Sequence, residues 1–289
     1  MVSMGTGSAL SEFDLAAEEF RKAYLELDSF TAETRLVRYS IRVQAGELAA
    51  DVLGFCPLFR EAYVEAVAAS ARQTEAVNAS YARFDFKEWS KKMEQLSEFK
   101  DAPPSDFAEF LRNMPSPAMP SVAFFSLTDI PFGKLRAATK AFFFFIRAYQ
   151  DALYRMALQV IDASESGRYS AMTKAFFIDE KAGSGTFNLN PVAKHLKGAF
   201  PEYCDWFISF RNKRNLIKNG IGSGYSGPDD NLGVVLAMPD GKGGAVVDCS
   251  LGITISDWAL ALRVSAKLAN IILVEARKRS VGNSPQALA

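Results

Sequence analysis

Apolar residues recur along this chain mostly at three- and four-residue intervals, the period of a helix with one buried face. Phe13, Ala16, Phe20, Tyr24 and Leu27 predict a first helix over roughly residues 10–28. Residues 31–53 and 58–81 read as two further helices, with Gly54 and Pro57 breaking the chain between them. Residues 85–99 form a charged amphipathic stretch. Ser105 then caps a short helix with Asp106 and Glu109 in its first turn, where the helix dipole favours acids. Six prolines lie between Pro103 and Pro131, and Met114 to Pro120 cannot continue a helix because proline lacks the amide donor and clashes with the preceding turn. That segment reads as a linker or a surface crossing.

A long helix is expected from about Gly133 to Ala163. Phe142, Phe145, Tyr149, Leu153, Met156 and Val160 make one continuous seam at near-heptad spacing. Four consecutive phenylalanines, Phe142 to Phe145, cover more than one face, so this helix should be central and contact neighbours on two sides; core packing outweighs a cofactor-stacking role for them. Residues 164–190 are a polar, glycine-containing connection. Another helix begins near Pro191, is interrupted near Pro201 and runs to Asn219-Gly220. Gly220 to Gly227 reads as a flexible connector. It follows a helix instead of joining a strand to one, the wrong context for a phosphate loop. Residues 233–238 and 245–249, two β-branched runs around an Asp-Gly turn, predict a β-hairpin. Ser256 and Asp257 then open a last helix through Trp258, Leu262, Leu268 and Ile272 to about Arg279. The expected fold class is all-α: a helical bundle with a small β-hairpin inserted before the last helix. We expect a single helical domain over 1–289, with N-terminal helices and the proline-rich crossing in 10–128 and a core in 129–280.

Composition narrows the function classes. Lys and Arg total 33 against 33 Asp and Glu, so no net positive field attracts nucleic acid at range. Hydrophobic residues are 49% of the 289, which excludes a disordered chain. The longest apolar run is Ala141 to Ile146, far short of the roughly twenty residues that span a bilayer. Met1 to Leu10 lacks the basic start and apolar core of a secretion signal, so a cytoplasmic protein is expected. Cys56, Cys204 and Cys249 are widely spaced and odd in number, and the only histidine is His195. The expectation is therefore no disulfide framework, no metal and no cofactor.

The informative segment is Asp205 to Gly220. At 100° per residue, Tyr203, Trp206, Phe207, Phe210 and Ile217 fall within one arc of about 100°, and Arg214 falls inside it. Arg211 and Lys218 sit at its edge. An arginine on an apolar stripe is costly to desolvate unless it meets a carboxylate, backbone carbonyls or a cleft open to water or ligand. Its planar fork of donors also suits phosphate. Two plainer readings stand beside this one: Arg214 snorkels along the core to solvent, and Asn219-Gly220 is only a helix C-cap. Residues 191–220 hold six Lys/Arg against two Asp/Glu, a modest basic patch without the aromatic interleaving of a nucleic-acid groove.

Arg214-Asn215-Leu-Ile-Lys-Asn219-Gly220 resembles the Arg-Asn-x-x-x-His-Gly signature of the HEPN superfamily (higher-eukaryote and prokaryote nucleotide-binding). The order around it agrees: an aromatic-rich helix ending in the motif, a hairpin, then a final long helix. The likeness covers about residues 130–280 in layout and about fifteen residues in motif. It implies a helical bundle, usually dimeric, with two motifs meeting at a cleft between protomers. In active members that cleft is a metal-independent endoribonuclease site. Carried over, the catalytic positions are Arg214, which would hold the scissile phosphate, Asn215, which would orient it, and Asn219, which stands where the family has its proton-carrying histidine. Arg211, Arg214 and Lys218 would bind phosphate.

Asn219 departs from the pattern in a way that matters. An amide has no useful proton affinity near neutral pH, and loss of general acid–base help costs about 10²–10⁴ in rate. Lys218 could substitute only with a strongly depressed pKa. His195 lies outside the motif and reads as an ordinary surface or interhelical histidine. The expectation is a catalytically impaired HEPN-like protein that binds RNA, a nucleotide or a partner. The resemblance also implies a homodimer, an antitoxin or defence partner protein, and a setting in bacterial stress or phage defence. An active endoribonuclease with a variant site and a purely structural helical dimer remain the alternatives.

Overall fold

A computed structural model of the chain describes residues 4–82, 130–161, 191–219, 223–226, 232–239 and 245–282, together with positions 87, 90, 91 and 94. The Ser105-capped helix, the proline-rich crossing, the 164–190 connection and most of the 85–99 stretch lie outside the described residues. The described residues are mostly helical, with six helices: α1 (Met4–Thr34), α2 (Tyr39–Ala82), α3 (Ile130–Ile161), α4 (Pro191–Ala199), α5 (Tyr203–Asn219) and α6 (Ile255–Gly282). Among the described residues no helix is long and apolar enough to cross a membrane.

Four long helices make the bundle, and polar contacts along their seams give their directions. Asp14–Arg60 (3.2 Å) and Asp28–Arg42 (3.0 Å) set α2 antiparallel to α1. Glu65–Lys134 (2.8 Å) and Gln44–Arg155 (2.7 Å) set α3 antiparallel to α2. Arg263 meets Glu12 at 2.6 Å and Arg277 meets Glu26 at 4.0 Å, so α6 runs parallel to α1. It also runs parallel to α3, through Gln150–Ser265 and Gln159–Arg279. Most of these charges are exposed and contribute little to stability. The core is apolar, and its largest fully buried side chains include Trp258, Tyr149, Tyr203, Phe20, Phe59, Phe142 and Phe143. Trp258 receives Phe142 (4.3 Å between ring centroids) and Phe143 (4.7 Å) edge-on, an arrangement worth about 0.5–1.5 kcal/mol per pair beyond area burial.

The boundary between the first two helices and the course of the second differ from the sequence reading. The first helix continues through residues 28–31 to Thr34, and Thr31 and Thr34 donate their hydroxyls back to the Leu27 and Phe30 carbonyls within it. It ends at Arg35, which takes a left-handed φ of 53° and donates its amide to the Thr31 carbonyl at 3.1 Å, an αL C-cap. Gly54 and Pro57 do not break α2, which runs unbroken through both. Both lie on its exposed side, where water can solvate the carbonyl that Pro57 leaves unbonded. Val52, Cys56, Phe59 and Tyr63 keep the other side buried. That burial outweighs a proline cost of about 3 kcal/mol.

The α2 N-terminus is capped from a distance: the Arg38 amide donates to Gln159 Oε1 at 2.7 Å. Arg279 in turn donates to the Gln159 and Val160 carbonyls at the end of α3 (2.6 and 3.0 Å), where a cation also suits the helix dipole. Strands β1 (Ser223–Ser226), β2 (Gly233–Pro239) and β3 (Ala245–Ile253) pair antiparallel in that order, with a register shift between Val234 and Leu236. Strand β1 thus occupies part of the segment read as a connector, and residues 240–244 lie outside the described residues. At the start of α6, Asp257 accepts from the Thr254 amide (2.9 Å) and hydroxyl (3.2 Å), so Thr254 is the cap residue in place of Ser256.

Candidate functional site

The α5 helix lies against α3 by the aromatic face that its spacing predicts. Tyr203, Phe207, Phe210 and Ile217 are buried and Trp206 is half-buried. Phe210 stacks between Phe143 (4.7 Å) and Trp206 (4.9 Å). Arg214 continues this face one turn later and is half-buried. Its guanidinium lies 5.2 Å from the ring centroid of Phe144, the phenylalanine of the α3 run that stays 54% exposed.

The arginine is under-partnered. Its Nε is buried without a hydrogen-bond acceptor. One Nη1 proton goes to the neighbouring Asn215 Oδ1 at 3.2 Å, leaving most of its five N–H donors unused among the described residues. No described carboxylate forms an ion pair with it. Two nearby cations show the contrast. Arg147 on α3 lies 4.8 Å from the Phe207 ring but is neutralised by Asp151 at 2.7 Å. Lys213 is neutralised by Asp257 at 2.8 Å, a contact that ties α5 to the start of α6. A guanidinium on an aromatic face is favourable by about 0.5–2 kcal/mol, which offsets part of the desolvation cost and leaves the charge for an anion.

The structure therefore brings Arg214, Asn215 and Phe144 together, with Arg211 half-buried one turn earlier on the same helix. The α5 backbone continues through Lys218 to Asn219, whose side chains lie outside the described residues, as does Gly220 and with it the C-cap reading. His195 belongs to another neighbourhood. It sits on α4 with Nε2 3.5 Å from Glu275 Oε1 of α6. Among the described residues no three His, Cys, Asp or Glu side chains cluster in a way that could hold a metal ion.

One polar feature was not read from the sequence. Gln150, in the apolar seam of α3, is fully buried and donates to Ser265 Oγ at 2.7 Å, while Tyr203 donates its hydroxyl to Gln150 Oε1. Ser265 passes its own proton to the Ala261 carbonyl at 2.8 Å. This chain joins α5, α3 and α6 at the depth of the core and orients α5, and with it Arg214. A lone glutamine inside an aromatic seam was the available signal.

Comparison with protein-family models, with curated proteins and with solved structures finds no match for this chain.

Proposed function

We propose that this chain is a HEPN-like module that binds RNA by a backbone phosphate at Arg214 and cleaves it poorly or not at all. The observation that carries this reading is Arg214 itself: a half-buried guanidinium with an unsatisfied Nε, no acidic partner among the described residues, and an exposed aromatic ring beneath it. A fork of donors beside a ring suits a phosphate with its adjoining base, because phosphate takes the N–H donors and the base stacks. Arg211 and Lys218 add point charge from the same helix. Asn215 orients the fork, and Asn219 supplies no proton. The order of long helix, α5, the strands at 233–249 taken as a closed hairpin, and final helix supports the same family reading. On that reading the module works in the cytoplasm as a homodimer with its α5 helices near the two-fold axis. An antitoxin or defence protein is its candidate partner.

The exposed ring of Phe144 favours one second reading, a structural homodimer in which a second copy covers Phe144 and Arg214. A single comparison separates the two. Wild type and Arg214→Ala are titrated against a labelled single-stranded RNA and sized by light scattering. The RNA reading expects at least about tenfold weaker binding by Arg214→Ala with the oligomer unchanged. The structural reading expects no RNA binding by either protein and a dimer that Arg214→Ala breaks. Efficient wild-type cleavage lost in Arg214→Ala would instead show an active ribonuclease.

A further inference from the structure

The geometry points to a second anion site, separate from Arg214: the groove between α4 and α6 as a pocket for a small soluble phosphomonoester with an apolar body. The groove has a volume of about 570 Å³ and is walled by one stripe from each helix. From α6 come Lys267, Asn270, Ile271, Val274, Glu275 and Lys278, one face at helical spacing. From α4 come Lys194, His195, Gly198 and Ala199. That volume falls within the 300–1,000 Å³ range of small-molecule sites.

The charges are arranged for an anion. Three lysines border the groove in a protein of zero formal net charge, against one carboxylate, Glu275. Lys194 has no partner among the described residues. Lys267 has only a 3.9 Å contact to the exposed Glu202 and otherwise lies 3.8 Å over the Phe200 ring. Lys278 meets Glu275 at 2.7 Å. Lysine acts as a point charge on a flexible stem and binds phosphate in that way, without the fixed fork of an arginine. The wall also carries a polar group without a bond: His195 Nε2 is buried and lacks a hydrogen-bond partner, although Glu275 Oε1 is only 3.5 Å away.

The apolar half explains the ligand body. Val274 is 47% exposed in the middle of the α6 stripe, flanked by half-buried Ile271. Opposite, a Cβ built on Gly198 meets no heavy atom within 4 Å. A flat or aliphatic group can therefore lie along Val274 and Ile271 while its phosphate reaches the lysines.

Gly198 also provides a test that leaves every charge in place, since Gly198→Trp would fill the groove from open space. Full-length wild type, Gly198→Trp and Lys194→Gln/Lys278→Gln are titrated calorimetrically with phenyl phosphate, inorganic phosphate and phenol. Circular dichroism and thermal melts verify that each variant is folded. Wild type should bind phenyl phosphate with a Kd on the order of 10⁻⁴ M, and inorganic phosphate about tenfold more weakly. Phenol should not saturate. Gly198→Trp should abolish phenyl phosphate binding, and the lysine pair variant should weaken it at least about tenfold. Lys22→Gln, which removes an exposed lysine on α1, should change nothing. The proposal fails if wild type shows no saturable binding, or if both groove variants bind phenyl phosphate within about threefold of wild type. Because the variants lie on α4 and α6, either result leaves the Arg214 reading standing or falling by its own RNA titration.

Discussion

Phe142, Phe143 and Phe144 are consecutive, chemically identical and on one helix, yet they sit in different worlds. Phe142 and Phe143 are closed around Trp258 and are at most 2% exposed. Phe144 stands 54% exposed and, among the described residues, carries the guanidinium of Arg214. Phe145 turns back to meet Phe55 of α2 at 5.7 Å. The helix advances 100° per residue, so four equal side chains sample four directions, and only neighbouring helices decide which of them are dry. The lesson extends to the cations nearby. Arg147 has Asp151 one turn along its own helix and Lys213 has Asp257 across from it, while among the described residues Arg214 has a ring and no carboxylate. On the proposed reading, a stability role and a binding role are separated by less than one helical turn.

The sharpest way to break this contrast is to remove the inner ring. Phe142→Ala should cost about 3–5 kcal/mol in chemical denaturation, through lost transfer energy and the cavity left against Trp258. A loss below about 1 kcal/mol would mean that the cage is not packed as described. Next in size is the buried polar chain. Gln150→Leu strands the Tyr203 hydroxyl in the core and should cost about 1–3 kcal/mol, with part recovered in Gln150→Leu/Tyr203→Phe because both partners are then apolar. No recovery in the double variant would show that the two side chains act independently.

A smaller, pH-dependent effect comes from the inner side of α2. Burial, aided by the charge of Asp14, pushes the Cys56 thiol up from 9.0 to about 12. The unfolded chain therefore releases this proton first, and the thiol's contribution to stability is intact below pH 9 and declines as the pH rises from about 9 toward 12. The slope is at most about 1.4 kcal/mol per pH unit. Wild type compared with Cys56→Ala across that window should reveal it; parallel profiles would contradict it. In a Cys204→Ser/Cys249→Ser background the native thiol should also resist alkylation at pH 8. The smallest expected effect completes the comparison: Phe144→Ala should change stability by less than about 1 kcal/mol while weakening RNA binding. An effect on stability as large as that of Phe142→Ala would erase the distinction between the two rings.

Much of this architecture is local and was legible in the chain. The 3.6-residue period of Phe13 to Leu27, the seam from Phe142 to Val160 and the aromatic arc of Tyr203 to Ile217 each announce a helix and its buried face, because one face must leave water whatever it packs against. The position of Arg214 on that arc was equally visible. What the chain could not announce depends on partners distant in sequence. Pro57 is tolerated because its side of α2 faces solvent. Arg38 is capped by Gln159, 121 residues away. Gln150 is satisfied only because Tyr203 and Ser265 converge on it. The want of a described carboxylate beside Arg214, the exposed ring of Phe144 and the groove between α4 and α6 also arise only when helices meet. Periodicity is a property of consecutive residues and survives in any fold, whereas desolvation and charge compensation are set by whichever atoms the tertiary structure places within a few ångströms.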